Sequence, residues 1–145
     1  GEALDMLQAM NTGHDGSLTT IHSNSARDAL ARIETMVLMA GIELPSRAIR
    51  EQIVNAIDLV VHVHRFEDGV RRVVGVSEIT GMEGTTPLLQ EIFRFQRSGR
   101  QGKRIVGEFV ATGVIPRLVE RMRERNEILP MTWFTKAGGG GPGHA

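Results

Sequence analysis

The residues best suited to chemistry lie in one stretch, Gly13-His14-Asp15-Gly16-Ser17-Leu18-Thr19-Thr20-Ile21-His22-Ser23-Asn24-Ser25. Two imidazoles and a run of hydroxyls gather there at the junction of two helix-like segments. Such groups can donate hydrogen bonds to a terminal phosphate or hold its attacking water. They could also serve acid-base or nucleophilic chemistry. No Gly-x-Ser-x-Gly turn supports the nucleophilic alternative. A metal is a third possibility, because His62 and His64 project from one face if their segment is a strand. No carboxylate cluster in the neighbouring sequence completes a ligand set for them.

The elements that must position these residues follow from periodicity. Apolar residues from Ala3 to Met10 recur at three- and four-residue steps and predict a helix, which Asn11-Thr12-Gly13 should close. Ser17 to His22, rich in hydroxyl and β-branched residues, predicts a short strand that delivers His22 to its end. Ser25 stands three residues ahead of Asp28, a capping-box variant, so a second helix should start there. Its stripe is Ala29, Leu30, Ile33, Met36, Val37 and Ala40, and Gly41 ends it. Pro45 and Ser46 open a third helix carrying Ile49, Ile53, Val54 and Ile57.

The apolar run Asp58 to Val63 predicts a central strand buried on both faces. Glu67-Asp68-Gly69 predicts a turn into a second strand over Val70 to Ile79, broken by Gly81 and Gly84. Leu88 to Gln96 reads as a strand, and Arg97 to Arg104 as a flexible basic loop. A surface helix should begin near Pro116 and run to Glu127. The glycine-rich end, residues 136–145, cannot bury enough apolar area to offset its ordering entropy and is predicted to be disordered.

The bulk properties set outer bounds. A chain of 145 residues is long enough for one domain with a core that buries roughly 70% of its unfolded surface. Seventeen basic residues balance seventeen acidic ones, so no global charge points to nucleic acid as a partner. Zero cysteines exclude disulfides, thiolate zinc sites and a cysteine nucleophile. No apolar run is long enough to span a bilayer. The opening Gly1-Glu2-Ala3-Leu4 is already helix-like, and we expect the chain to be a piece of a longer protein.

One resemblance organises these observations. Residues 1–32 closely resemble the C-terminal ATPase domain of the type II/IV secretion ATPase superfamily, in particular the CpaF-like branch that drives tight-adherence (Tad/Flp) pilus assembly. The family's histidine box is matched by Gly13-His14, Thr20-Ile21-His22 and Ser23-Asn24-Ser25, with Ser23 in place of the customary Ala. Seven residues separate the two histidines, the spacing of the tight-adherence and type IV secretion branches. Leu44-Pro45 with the helix and strand that follow, and Ala111-Thr112-Gly113 with Pro116, are similar to the family as well.

The resemblance implies an α/β fold, the C-terminal part of a RecA-like P-loop ATPase domain over residues 1–135 that lacks its phosphate-loop half. No Gly-x-x-x-x-Gly-Lys-Ser/Thr motif occurs in the chain. ATP and Mg2+ would therefore be bound mainly by the missing part. On the same resemblance His22 contacts the γ-phosphate or catalytic water, and His14 and Thr20 orient the site. Glu2 matches the acidic residue that follows the Walker B motif. The implied assembly is a cytoplasmic homo-hexamer, peripheral to the inner membrane and docked on its platform protein, driving pilus assembly or secretion. The alternative is a non-catalytic oligomerisation or platform-binding module using the Pro116 to Glu127 helix.

Overall fold

The structure is a computed structural model that describes residues 2–12 and 16–136. Its elements, in order, are α1 (Glu2–Asn11), α2 (Ala26–Met39), α3 (Ser46–Ala56), β1 (Leu59–Arg65), β2 (Arg71–Glu83), β3 (Thr86–Gln101), β4 (Arg104–Ala111) and α4 (Leu118–Glu124), followed by a 3-10 turn at Met131–Phe134. The α/β expectation holds in this general sense. The chain divides into two compact units, Gly1–Val60 with Ile79–Leu89, and Val61–Glu78 with Gln90–Ala145.

The first unit is built on its three helices, which all pack on one another. Leu7, Leu30, Ile33, Val37, Ile49, Ile53 and Ile57 form its buried cluster together with Ile79. Full burial of each such side chain is worth roughly 1.5–3 kcal/mol, which explains why the α2 and α3 stripes were readable from period alone. α2 starts as its sequence demands. The Ser25 hydroxyl accepts the Asp28 N–H at 3.0 Å, and the Asp28 carboxylate reaches back to the Asn24 N–H at 2.9 Å. Gly41, at φ 83°, closes α2 in the left-handed region that glycine tolerates. Two members of the expected stripe, Met36 and Ala40, are exposed, since the core contact follows Ala29, Leu30, Ile33 and Val37.

The described strands form one sheet in the order β1-β2-β3-β4. Connections of two to five residues are too short for a parallel crossover, so successive strands run antiparallel, as the β3–β4 register shows directly. This corrects the expectation for Asp58 to Val63. β1 is an edge strand, and Leu59, Val61 and Val63 on one face are exposed. A β-branched run marks strand propensity, but which strands flank it is a matter of topology that composition does not encode.

Two further expectations are corrected. β2 runs through Gly81, and the chain reverses only at Gly84, whose φ of 61° suits the first central position of a two-residue hairpin turn. The basic segment Arg97 to Arg104 is no flexible loop. β3 continues to Gln101 and pairs with β4 through Arg100↔Ile105, with an extra residue at Ser98 between the pairs Arg97↔Gly107 and Gly99↔Val106. Gly99 and Gly102 supply the backbone freedom that bulge and turn need, so the glycines shape a hairpin instead of dissolving it.

The second unit packs Ile92, Val119 and Phe134 together, flanked by Phe93 and Leu129. Phe93 stacks on Phe109 at 5.7 Å and lies 5.8 Å from the Phe134 ring. α4 is shorter than expected at both ends. Its start is held by Glu78, a buried β2 side chain whose carboxylate accepts the Arg117 and Leu118 N–H groups, each at 2.8 Å. Its end is closed by Asn126 at φ 64°, with Asn126 N–H donating to the Arg123 carbonyl and Glu127 N–H to that of Met122. That pair of bonds is a Schellman closure with asparagine in the glycine position.

Candidate functional site

The candidate site begins where α1 ends. The Thr12 hydroxyl donates to the Gln8 carbonyl at 2.8 Å and closes the helix, and Gly13, His14 and Asp15 lie outside the described residues. The expected position of His14 therefore has no structural counterpart here. From Ser17 to Ser23 the backbone is irregular, which corrects the expected strand. No described strand pairs with it, and a β-prone hexapeptide without a ladder partner gains nothing from the extended form.

Thr20 and His22 sit in that segment, and both are exposed. Among the described residues neither side chain has a hydrogen-bond or ionic partner. Between them Ile21 is half-buried and packs against the helical core. The Ile21 anchor and the capped start of α2 fix the backbone on either side of His22 while its imidazole faces outward. The Ser23 hydroxyl adds a bond to the Ser25 carbonyl at 3.1 Å. Leu18 is 95% exposed in the same segment, an unusual position for a leucine. Chemically, the arrangement offers an imidazole and a hydroxyl to a group that approaches from outside.

A cleft of about 210 Å³ in the helical unit is lined by Leu30 and Ile53 of the apolar stripes and by residues that periodicity did not single out, Arg27, Glu34, Arg50 and Pro87 among them. Arg50 Nε donates to Glu34 at 2.9 Å and its Nη1 to the Thr85 carbonyl at 2.9 Å, while Arg27 donates to the Pro87 carbonyl at 3.2 Å. These bonds tie α2 and α3 to the β2–β3 turn. Sixteen positions separate Arg50 from Glu34, so no local spacing rule could have paired them.

The other histidines are placed differently. His62 is half-buried and His64 exposed on β1, where the His64 ring meets Phe66 edge-on at 5.1 Å. Among the described residues no group of three or more His, Asp or Glu side chains could hold a metal ion. The strongest electrostatic cluster lies at the hairpin turns. Asp68 binds Arg72 through two bonds of 2.8 and 3.1 Å and also accepts the Ile105 and Val70 N–H groups. The Arg72 guanidinium, with those backbone donors, holds the Asp68 carboxyl well below the carboxylate range. Its neighbour Glu67 is lowered to about 2, first by its own backbone N–H and then by Arg97 and Arg100.

Arg72 also lies over the Phe66 ring at 5.1 Å and donates to the Ile105 carbonyl. With a further contact over the Phe95 ring of β3 at 5.8 Å, Arg72 ties the β1–β2 turn to β3 and β4, which gives it and Asp68 a structural role.

Comparison with known proteins fits this architecture. Residues 1–132 match the family described as type II/IV secretion system protein. The chain is similar to the conjugal transfer protein TrbB of Rhizobium radiobacter, with 46% identity over 84 residues, 58% of this chain and 24% of that protein. It is also similar to the type IV secretion system protein VirB11 of Brucella suis, with 39% identity over 82 residues, 54% of this chain and 22% of that protein. The matched part thus spans about a quarter of the length of these relatives. With a match that runs through both units, from α1 past α4, this chain belongs to the type II/IV secretion system protein family.

Proposed function

We propose that the chain is the distal, histidine-box half of an ATP-hydrolysing motor in a conjugal-transfer, secretion or pilus-assembly machine. The observation that carries this reading is the exposed pair Thr20 and His22, without a side-chain partner among the described residues, inside a family match over residues 1–132. On this reading residues 1–135 are the C-terminal portion of a RecA-like domain, and the motor works as a cytoplasmic homo-hexamer on an inner-membrane platform protein. The histidine spacing favours the tight-adherence and type IV secretion branches.

The residues present fit only the outer edge of a nucleotide site. His22 can donate an imidazole N–H to a phosphate oxygen or hold a water, and Thr20 and His14 can orient it. Nothing here can wrap the phosphates, since that takes the backbone N–H groups of a glycine-rich loop and its lysine. ATP with Mg2+ supplies the phosphoryl group and its charge when the rest of the motor holds it. A non-catalytic oligomerisation or platform-binding role gains support from Ile128, Met131 and Trp133, exposed just after α4.

The test is His22→Ala in the intact protein. We expect ATP turnover to fall about 100-fold with nucleotide binding retained, the loss typical of one transition-state donor. Unchanged turnover removes the catalytic role.

A further inference from the structure

The turn between His22 and α2 contains a bond that the helix itself does not need. Ser25 is the N-cap of α2, and its hydroxyl accepts the Asp28 N–H at 3.0 Å. In a capping box the side chain at the position of Asp28 answers by accepting the N–H of the cap residue, one of the donors that a helix start leaves free. The Asp28 carboxylate instead accepts the N–H of Asn24, one residue further out, at 2.9 Å, and among the described residues it makes no bond to the Ser25 N–H. Asn24 precedes the cap, so its N–H is not a donor that α2 must satisfy. What the bond fixes is the second peptide past His22. The Ser23 hydroxyl closes the same stretch by donating to the Ser25 carbonyl at 3.1 Å. On the other side of His22, Ile21 is half-buried against the helical core. His22 is thus bracketed by an anchor one residue before it and a tether two residues after it.

We propose that Asp28 is a positioning residue for His22: its carboxylate, through the Asn24 N–H, fixes the backbone from which the imidazole is presented to a phosphate or its attacking water. The inference rests on the role proposed for His22 above and adds the group that holds it in place. A functional histidine is commonly oriented by a hydrogen bond to its second ring nitrogen. Among the described residues the His22 ring has no such partner, so its placement falls to the backbone. The tether is well founded, since α2 carries it and buries Ala29, Leu30, Ile33 and Val37 in the core. A carboxylate that accepts an N–H also makes a stronger bond than a neutral acceptor does. Arg32 Nε lies 3.6 Å from the same oxygen, too far for a hydrogen bond, and leaves that geometry to Asn24. Placement at this point bears on rate, because a shift of about 1 Å in a group at the reacting atoms can cost about 100-fold.

The experiment is steady-state ATP turnover with nucleotide binding, in the intact protein. Asp28→Ala removes the tether and should lower kcat about 10-fold with ATP affinity within about 2-fold, the split expected when a positioned group is displaced and binding is untouched. Asp28→Asn keeps an acceptor oxygen at the same reach and should hold kcat within about 3-fold of wild type. Ser25→Ala removes the cap bond but leaves the tether, and should keep kcat within about 2-fold, which separates helix stability from positioning. The decisive measurement is the double variant. Added to His22→Ala, Asp28→Ala should lower turnover no further, because the tether then has nothing to position. An equal loss in both backgrounds overturns the proposal. So does wild-type kcat in Asp28→Ala, an Asp28→Asn variant as slow as Asp28→Ala, or a loss of that size in Ser25→Ala. Circular dichroism verifies that each variant is folded, and Asp28→Ser, one atom too short to reach the Asn24 N–H, replaces an Asp28→Ala that is not, with the same expected results. Normal turnover of His22→Ala removes the motor reading itself, whereas normal turnover of Asp28→Ala beside an impaired His22→Ala removes only the positioning role.

Discussion

At the scale of single residues, the Ser25 hydroxyl holds the first turn of α2 by accepting the Asp28 N–H. Ser25 and Asp28 are three positions apart, and that spacing alone aligns a hydroxyl with the free N–H groups of a first turn. The structure shows the bond at 3.0 Å. Replacing Ser25 with alanine orphans the Asp28 N–H and should cost about 1 kcal/mol in urea denaturation, whereas Ser25→Asp should cost little. His22 was singled out by motif. The role proposed for it depends on phosphates cradled by a glycine-rich loop, a motif this sequence lacks, so no local rule could complete the assignment. Glu78 was missed because a lone glutamate in a strand looks like a solvent-facing position, and only the packing of α4 above it shows why it is 2% exposed.

At the scale of elements, that same carboxylate predicts how α4 can be undone. Glu78→Gln keeps the shape but leaves one acceptor oxygen facing two N–H donors. We expect a loss of about 2 kcal/mol and faster amide hydrogen exchange at whichever of the Arg117 and Leu118 N–H groups then faces the amide nitrogen. The β3–β4 hairpin has its own weak point at Gly107. A Cβ there would lie 2.5 Å from the Gln96 carbonyl oxygen and 2.5 Å from the Phe95 ring, with the Arg97 Cα at 3.0 Å. Backbone atoms cannot yield cheaply, so Gly107→Ala should destabilise the chain by about 1–3 kcal/mol in thermal or urea unfolding. The hairpin itself was half legible. Alternation pointed to its strands, but a run of glycines and arginines reads as a loop until the bulge at Ser98 shows how both fit a ladder.

At the scale of the whole molecule, the ionic cluster at the turns makes a prediction about pH. Glu67 and Asp68 are both depressed below their ordinary values in the folded chain, Glu67 from 4.5 to about 2. Groups shifted in this direction stabilise the fold above their unfolded pKa and release that stability as pH falls through the folded value. Stability should therefore decline between about pH 4.5 and 2, followed by the fluorescence of Trp133, the one tryptophan of the chain. A Glu67→Gln/Asp68→Asn variant should be less stable at neutral pH, with a flatter dependence across that window.

What the sequence determined by itself was local. Helices α2 and α3, the cap at Ser25, the turn at Glu67-Asp68-Gly69 and the strand character of Leu88 to Gln96 follow from periods and backbone preferences that act over a few residues. The family, too, was legible, because a motif is a local object. Tertiary structure alone decided that β1 is an edge among the described strands, that Ser17 to His22 is irregular and not a strand, that Arg50 meets Glu34 and that Glu78 caps α4. Each of those depends on which distant segments are brought together. That choice is made by the summed burial of the cores and the closing of ladders between segments, and no window along the chain contains both partners.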